Sequence, residues 1–117
     1  MSANKSSKEI VQTFLHALNK EDFDTAAEYL SDDMVFDGVM GKRNSAASYI
    51  EDMKKMKFKY DIEKIFEDGN DVCVLYNIDM SGKAKIFTSG WYHLSYGKIK
   101  NLKVVFDPRP LLEKQKA

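Results

Sequence analysis

The chain carries one cysteine, two prolines, six glycines and no excess of either charge over its 117 residues. A lone thiol, Cys73, offers neither a disulfide framework nor a thiolate metal site, and fits a reducing interior. Eighteen basic residues balance eighteen acidic ones, and the two signs interleave, so no electrostatic footprint for nucleic acid exists. No apolar run approaches the roughly 20 residues that cross a bilayer. The opening MSANKSSKE has no signal core, which makes a cytoplasmic protein with no membrane partner the expectation. Both prolines fall in Asp107-Pro108-Arg109-Pro110, so none interrupts a helix or a ladder before that point. No cofactor motif or metal-ligand cluster stands out, and neither a cofactor nor a metal is expected. The length suits one domain, residues 1–117, burying about two-thirds of its unfolded surface.

What is present is amphipathic periodicity. Ser6 or Ser7 can cap a first helix presenting Ile10, Val11, Phe14, Leu15 and Leu18, with His16 on the polar face. Asp22 caps a shorter second helix with Phe23, Ala26, Ala27 and Leu30, stopped by Ser31-Asp32-Asp33. A short strand over Met34–Val39 follows. Asn44 or Ser45 then opens a third helix whose buried stripe is Ala46, Tyr49, Ile50 and Met53, with Glu51, Asp52, Lys54 and Lys55 solvated. From Phe58 the period becomes two. Strands run from Phe58, over Val72–Met80, Ala84–Leu94 and Ile99–Phe106, joined at Asp68-Gly69-Asn70, Ser81-Gly82-Lys83 and Tyr96-Gly97-Lys98. A straight strand from Ala84 to Ser95 would span about 40 Å at ~3.3 Å per residue, so the sheet must bend, and Gly90 is the expected bend.

Period two places Val72, Val74, Tyr76, Ile78 and Met80 on one face, with Gly90, Tyr92, Leu102 and Val104. The even residues are assigned to a concave face that helices cover, enclosing a cavity. Trp91 and His93 then lie on the convex face, where a partner subunit would cover them. A bulge near Gly90 would instead slip the parity and bury Trp91 in the core.

The strings FLHALNKEDFDTAAEYLSDDMVFDGVMG and GWYHLSYGKIKNLKVVFDPRP resemble the nuclear transport factor 2-like superfamily on its SnoaL-like, ketosteroid-isomerase-like side, over nearly the whole chain. The resemblance implies an α+β fold of cystatin-like type, with a cone of strongly curved antiparallel sheet and three N-terminal helices in the order α-β-α-β-β-β-β. It also implies a homodimer. Ketosteroid isomerase pairs a carboxylate base with a tyrosine and a protonated aspartate. By the resemblance the tyrosine falls on Phe14, the aspartate on Gly90, and the base on Gly38, one position from Asp37. The aspartate of limonene epoxide hydrolase falls on Val104. Scytalone dehydratase relies on pocket histidines, which neither His16 nor His93 is placed to supply.

The reading this leaves is a small-molecule-binding protein whose ligand is a small hydrophobic molecule with a few oxygens. Its expected lining is Phe14, Phe36, Tyr49, Tyr60, Tyr76, Ile78, Gly90, Tyr92 and Val104, with Met34, Met40, Met53, Met56 and Met80 adaptable around it. An enzyme of polyketide-cyclase or ketosteroid-isomerase type, with Asp37 as general base, is the first alternative. A dimerisation module with a filled cavity is the second.

Overall fold

In the computed structural model, residues 5–116 are described, the side chains through residue 112. α1 (Ser7–Asn19) starts from a capping box in which Ser6 Oγ accepts from the Glu9 amide and the Glu9 carboxylate accepts from the Ser6 amide. Its apolar stripe is buried, and its last residue fastens it to the sheet. Asn19 donates to the Tyr60 carbonyl at 2.8 Å and accepts from the Tyr60 amide at 2.6 Å. α2 (Phe23–Glu28) is capped by Asp22, as its sequence requires.

β1 covers Leu30–Asp37, β2 Lys42–Arg43, β3 Lys59–Asp68, β4 Asp71–Asp79, β5 Lys85–Ser95 and β6 Lys98–Phe106. α3 (Ala46–Met56) is capped by Ser45 and ends where Lys57 turns left-handed at φ 52°. The six strands form one curved, unclosed sheet in the order β2-β1-β6-β5-β4-β3. Two corrections to the sequence reading concern β1. Leu30 belongs to it and not to the second helix, because Leu30 pairs with Ile99 and the Ile99 amide donates to the Tyr29 carbonyl at 2.7 Å. β1 also runs parallel to β6, so the sheet is not wholly antiparallel. The meander β3 to β6 leaves the outer edge of β6 open, and β1 satisfies that ladder.

At the β5–β6 hairpin Tyr96 and Gly97 both take positive φ, 53° and 76°, the mirror-image turn that matches strand twist. Parity holds through the long strands: Val72, Val74, Tyr76, Ile78, Ile86, Thr88, Tyr92, Leu94, Leu102 and Val104 are buried on the helix-covered face. Trp91 stays 51% exposed on the other, so the parity does not slip. The ladder between β4 and β5 is unbroken through Gly90, and the register shifts fall at Leu30/Val35, Ile62/Lys64 and His93/Leu94. Gly90 is therefore not a bulge. After Asp107-Pro108 comes a fourth helix, α4 (Arg109–Lys116), beyond the three that the resemblance implies, and its Leu111 packs against the core. Asp107 accepts a bidentate contact from Arg109 at its start, Nε to Oδ1 at 3.0 Å and Nη2 to Oδ2 at 2.6 Å.

Candidate functional site

The concave face, α3, the 38–41 loop and the start of α4 enclose a cavity of about 450 Å³. β4 supplies Tyr76, Ile78 and the following Met80, β3 supplies Tyr60, β6 supplies Leu102 and Val104, and β1 supplies Phe36. On α3 the spacing Tyr49, Asp52, Met53, Met56 is i, i+3, i+4, i+7, so one helical face presents all four. Tyr49, Tyr60 and Tyr76 are buried at 3%, 8% and 1% exposure and form the interior, whereas Val39, Met40 and Arg43 are open to water at the mouth.

The phenols form a connected set. The Tyr76 and Tyr92 hydroxyls lie 2.8 Å apart, the Tyr60 and Tyr76 ring centroids 5.3 Å, and Tyr60 Oη donates to Met53 Sδ at 3.5 Å. Burial pushes all four phenols, Tyr49, Tyr60, Tyr76 and Tyr92, above the ordinary tyrosine value. They are neutral hydrogen-bonding groups near pH 7, suited to a carbonyl or hydroxyl oxygen and unsuited to holding charge.

Two glycines sit where an added side chain would meet an aromatic group. A Cβ on Gly90 would stand 2.3 Å from Tyr76 Oη, so the space a side chain would need is filled by that hydroxyl. A Cβ on Gly38 would meet the Phe36 ring at 2.7 and 2.8 Å. Val104 pairs with Gly90 across β5 and β6 and turns its side chain to the cavity. The three positions to which the family resemblance assigns carboxylates thus hold two glycines crowded by aromatic groups and one aliphatic wall residue.

Of the residues expected in the lining, Phe36, Tyr49, Tyr60, Tyr76, Ile78 and Val104 meet at the cavity. Phe14, Gly90 and Tyr92 do not line it. Tyr92 lies behind Tyr76, and Phe14 packs edge-on against Tyr92 at 6.4 Å between centroids. Met34 is sealed in the core, while the other four methionines of the expected set reach the cavity. Asp37 is not on the cavity wall either. Its neighbour Phe36 takes the inward side, and Asp37 stands in register between Lys42 and Lys103.

A polar pair outside the expected lining stands at the mouth. Arg43 Nε lies 2.7 Å from Asp52 Oδ2, and Asp52, expected to be solvated, has a side chain only 25% exposed. The signal was available in the helical spacing of Asp52 with Tyr49 and Met56, but not in Arg43, which only the β1–β2 hairpin brings across. His16 is exposed on α1, and no cluster of metal-ligating side chains exists among the described residues. No helix among them is long and apolar enough to cross a membrane.

This curved sheet and helix-covered cavity define a class: the chain belongs to the SnoaL-like domain family, which matches residues 11–101. An NTF2-like protein of unknown function from Cytophaga hutchinsonii is 47% identical, with 96% of this chain and 99% of that one covered and a TM-score of 0.92. An LEH-like epoxide hydrolase from M. tuberculosis shares the fold at 24% identity and TM-score 0.78, over 92% of this chain and 86% of that one. So does an uncharacterized cystatin fold protein from Novosphingobium aromaticivorans, at 16% identity and TM-score 0.78, covering 87% and 99%. No curated protein matches the chain.

Proposed function

We propose that the protein is a cytoplasmic, homodimeric small-molecule-binding member of its family, and that its ligand is mostly apolar with one or two oxygens. The observation that carries this is the cavity itself, about 450 Å³ of apolar wall with neutral phenols inside. A ligand body there is desolvated by Phe36, Met53, Ile78 and Val104, and its oxygen meets Tyr49, Tyr60 or Tyr76. The crowding at Gly38 and Gly90 supports binding over catalysis, since it leaves no room for a carboxylate at those two positions, and Asp52, the carboxylate on the cavity wall, is engaged by Arg43. Thermal denaturation with apolar ketones, alcohols and acids of terpenoid, steroid and polyketide type tests it. A native-state ligand must raise Tm in a concentration-dependent way, and the absence of any shift across the set would refute the reading.

The dimer is proposed from the convex face. Phe66, Phe87, Trp91 and Val105 expose 52%, 54%, 51% and 57% of their surface there. Asp71 fixes Trp91 through its indole N–H at 2.9 Å and His93 through Nδ1 at 2.8 Å. The rigid indole and the apolar residues around it have the composition of an interface centre.

A further inference from the structure

The cavity's charged rim says which end of a ligand faces water. Its charged lining residues are Arg43, Asp52 and Lys55. Arg43 is committed: Nη1 donates to the Lys42 carbonyl at 2.7 Å, and Nε and Nη2 both reach the Asp52 carboxylate. Asp52 is thereby neutralised. Lys55, one helical turn along α3 from Asp52, is exposed and makes no ion pair among the described residues. The mouth therefore carries one uncompensated positive charge above an interior that cannot accept an ion, because burying an unpaired charge among apolar walls and neutral phenols is costly. A single ammonium balances one negative charge and lacks the planar fork that grips a phosphate bidentately, so a monoanionic head suits it.

From this geometry, and resting on the binding function proposed above, we propose that the natural ligand is an amphipathic monocarboxylate, bound with its apolar body in the cavity and its carboxylate at Lys55. The Arg43–Asp52 pair acts as a fixed polar wall beside the headgroup. The flexible lysine stem follows the carboxylate, so acids of different length can be accommodated with the head always at the mouth. The tail end meets the phenols, which favours acids bearing a keto or hydroxyl oxygen far from the carboxylate.

The test compares decanoate, decanol and decylamine by isothermal titration calorimetry at low ionic strength. The expected result is decanoate binding roughly fivefold more tightly than decanol, as for a solvent-accessible ion pair, and decylamine binding most weakly, with the preference shrinking as salt is added. Lys55→Met should equalise decanoate and decanol, and Lys55→Glu should reverse the order toward decylamine. Lys55 is exposed, so neither substitution threatens the fold. Equal affinities for decanoate and decanol in the wild type would overturn the carboxylate inference while leaving an apolar ligand intact. A decanoate preference that survives Lys55→Met would overturn it too. Failure of all three to bind would overturn this inference alone; the binding function falls only if the terpenoid, steroid and polyketide-type set also leaves Tm unchanged.

Discussion

Gly90→Ala isolates the contact that most distinguishes this cavity. The added Cβ would lie 2.3 Å from Tyr76 Oη and 3.1 Å from both Tyr76 Cζ and Tyr92 Cε1, against an ordinary contact of about 3.5 Å. Something must move by about 1 Å, and the first casualty is the 2.8 Å bond between the Tyr76 and Tyr92 hydroxyls. Overpacking of this kind costs about 1–3 kcal/mol and the buried hydrogen bond about 1 kcal/mol. Reduced freedom of the unfolded chain returns about 0.4–1 kcal/mol, because Gly90 does not need positive φ. The net is about 2 kcal/mol, or a Tm lower by roughly 8 °C for a domain of this size. Urea midpoints measured for Gly90→Ala, Tyr76→Phe and the double variant complete a cycle. Removing the Tyr76 hydroxyl frees the space, so Gly90→Ala should cost less than about 0.5 kcal/mol in that background, giving a coupling of about 1.5 kcal/mol. Equal cost in both backgrounds would show that the Tyr76 hydroxyl does not fill the site.

Asn19→Leu removes both bonds from α1 to the Tyr60 backbone and leaves polar groups of an edge strand unpaired, so a loss of about 1–3 kcal/mol is expected in the urea midpoint. Alkaline unfolding tests the phenols. Their folded pKa values are raised above the ordinary value near 10, so their contribution is fully present below pH 10 and is lost as pH rises and the unfolded state ionises first. Tyr49, Tyr60, Tyr76 and Tyr92 should ionise together with loss of secondary structure; their ionisation in the intact fold would contradict the burial argument. On the acid side, Glu21, Asp33, Asp71 and Asp107 are held below the ordinary carboxylate values by hydrogen bonds from Lys59, Lys100, Trp91 with His93, and Arg109. Their stabilisation is present above about pH 4 and fades as pH falls through the lowered values; salt should weaken the part due to ion pairs. Trp91→Lys should weaken dimerisation at least about 30-fold in sedimentation velocity, and wild-type protein that sediments as a monomer at every concentration would remove the proposed interface.

The helices and strands were legible in the sequence wherever one periodicity governed a long segment. Ile10 to Leu18 read as a helix face, and Val72 to Met80 as an alternating strand, because burial on one side leaves that record in the residues. Leu30 misled, since an apolar residue after a short helix fits the helix face as well as it fits the strand it enters. The parallel pairing of β1 with β6 depends on which edge remains open after the meander forms, a long-range fact absent from local pattern. At the cavity, parity found the walls but could not rank depth, so Tyr92 was assigned to a surface that Tyr76 lines, while Phe14 was placed there by the family resemblance and packs instead against Tyr92. At Gly90 the pattern left a bulge open, and only coordinates show an unbroken ladder with Tyr76 Oη close against the glycine. Arg43 and Asp52 meet through tertiary structure alone.

The most direct test of the central claim is a crystal structure of the protein soaked with decanoate. Density for the chain is expected between Phe36, Ile78 and Val104, its far end near Tyr76 and its carboxylate within reach of Lys55. A cavity closed by inward rotation of Tyr49, Tyr60 and Met53, with no ligand density inside, would contradict it and make the fold a solid interaction module.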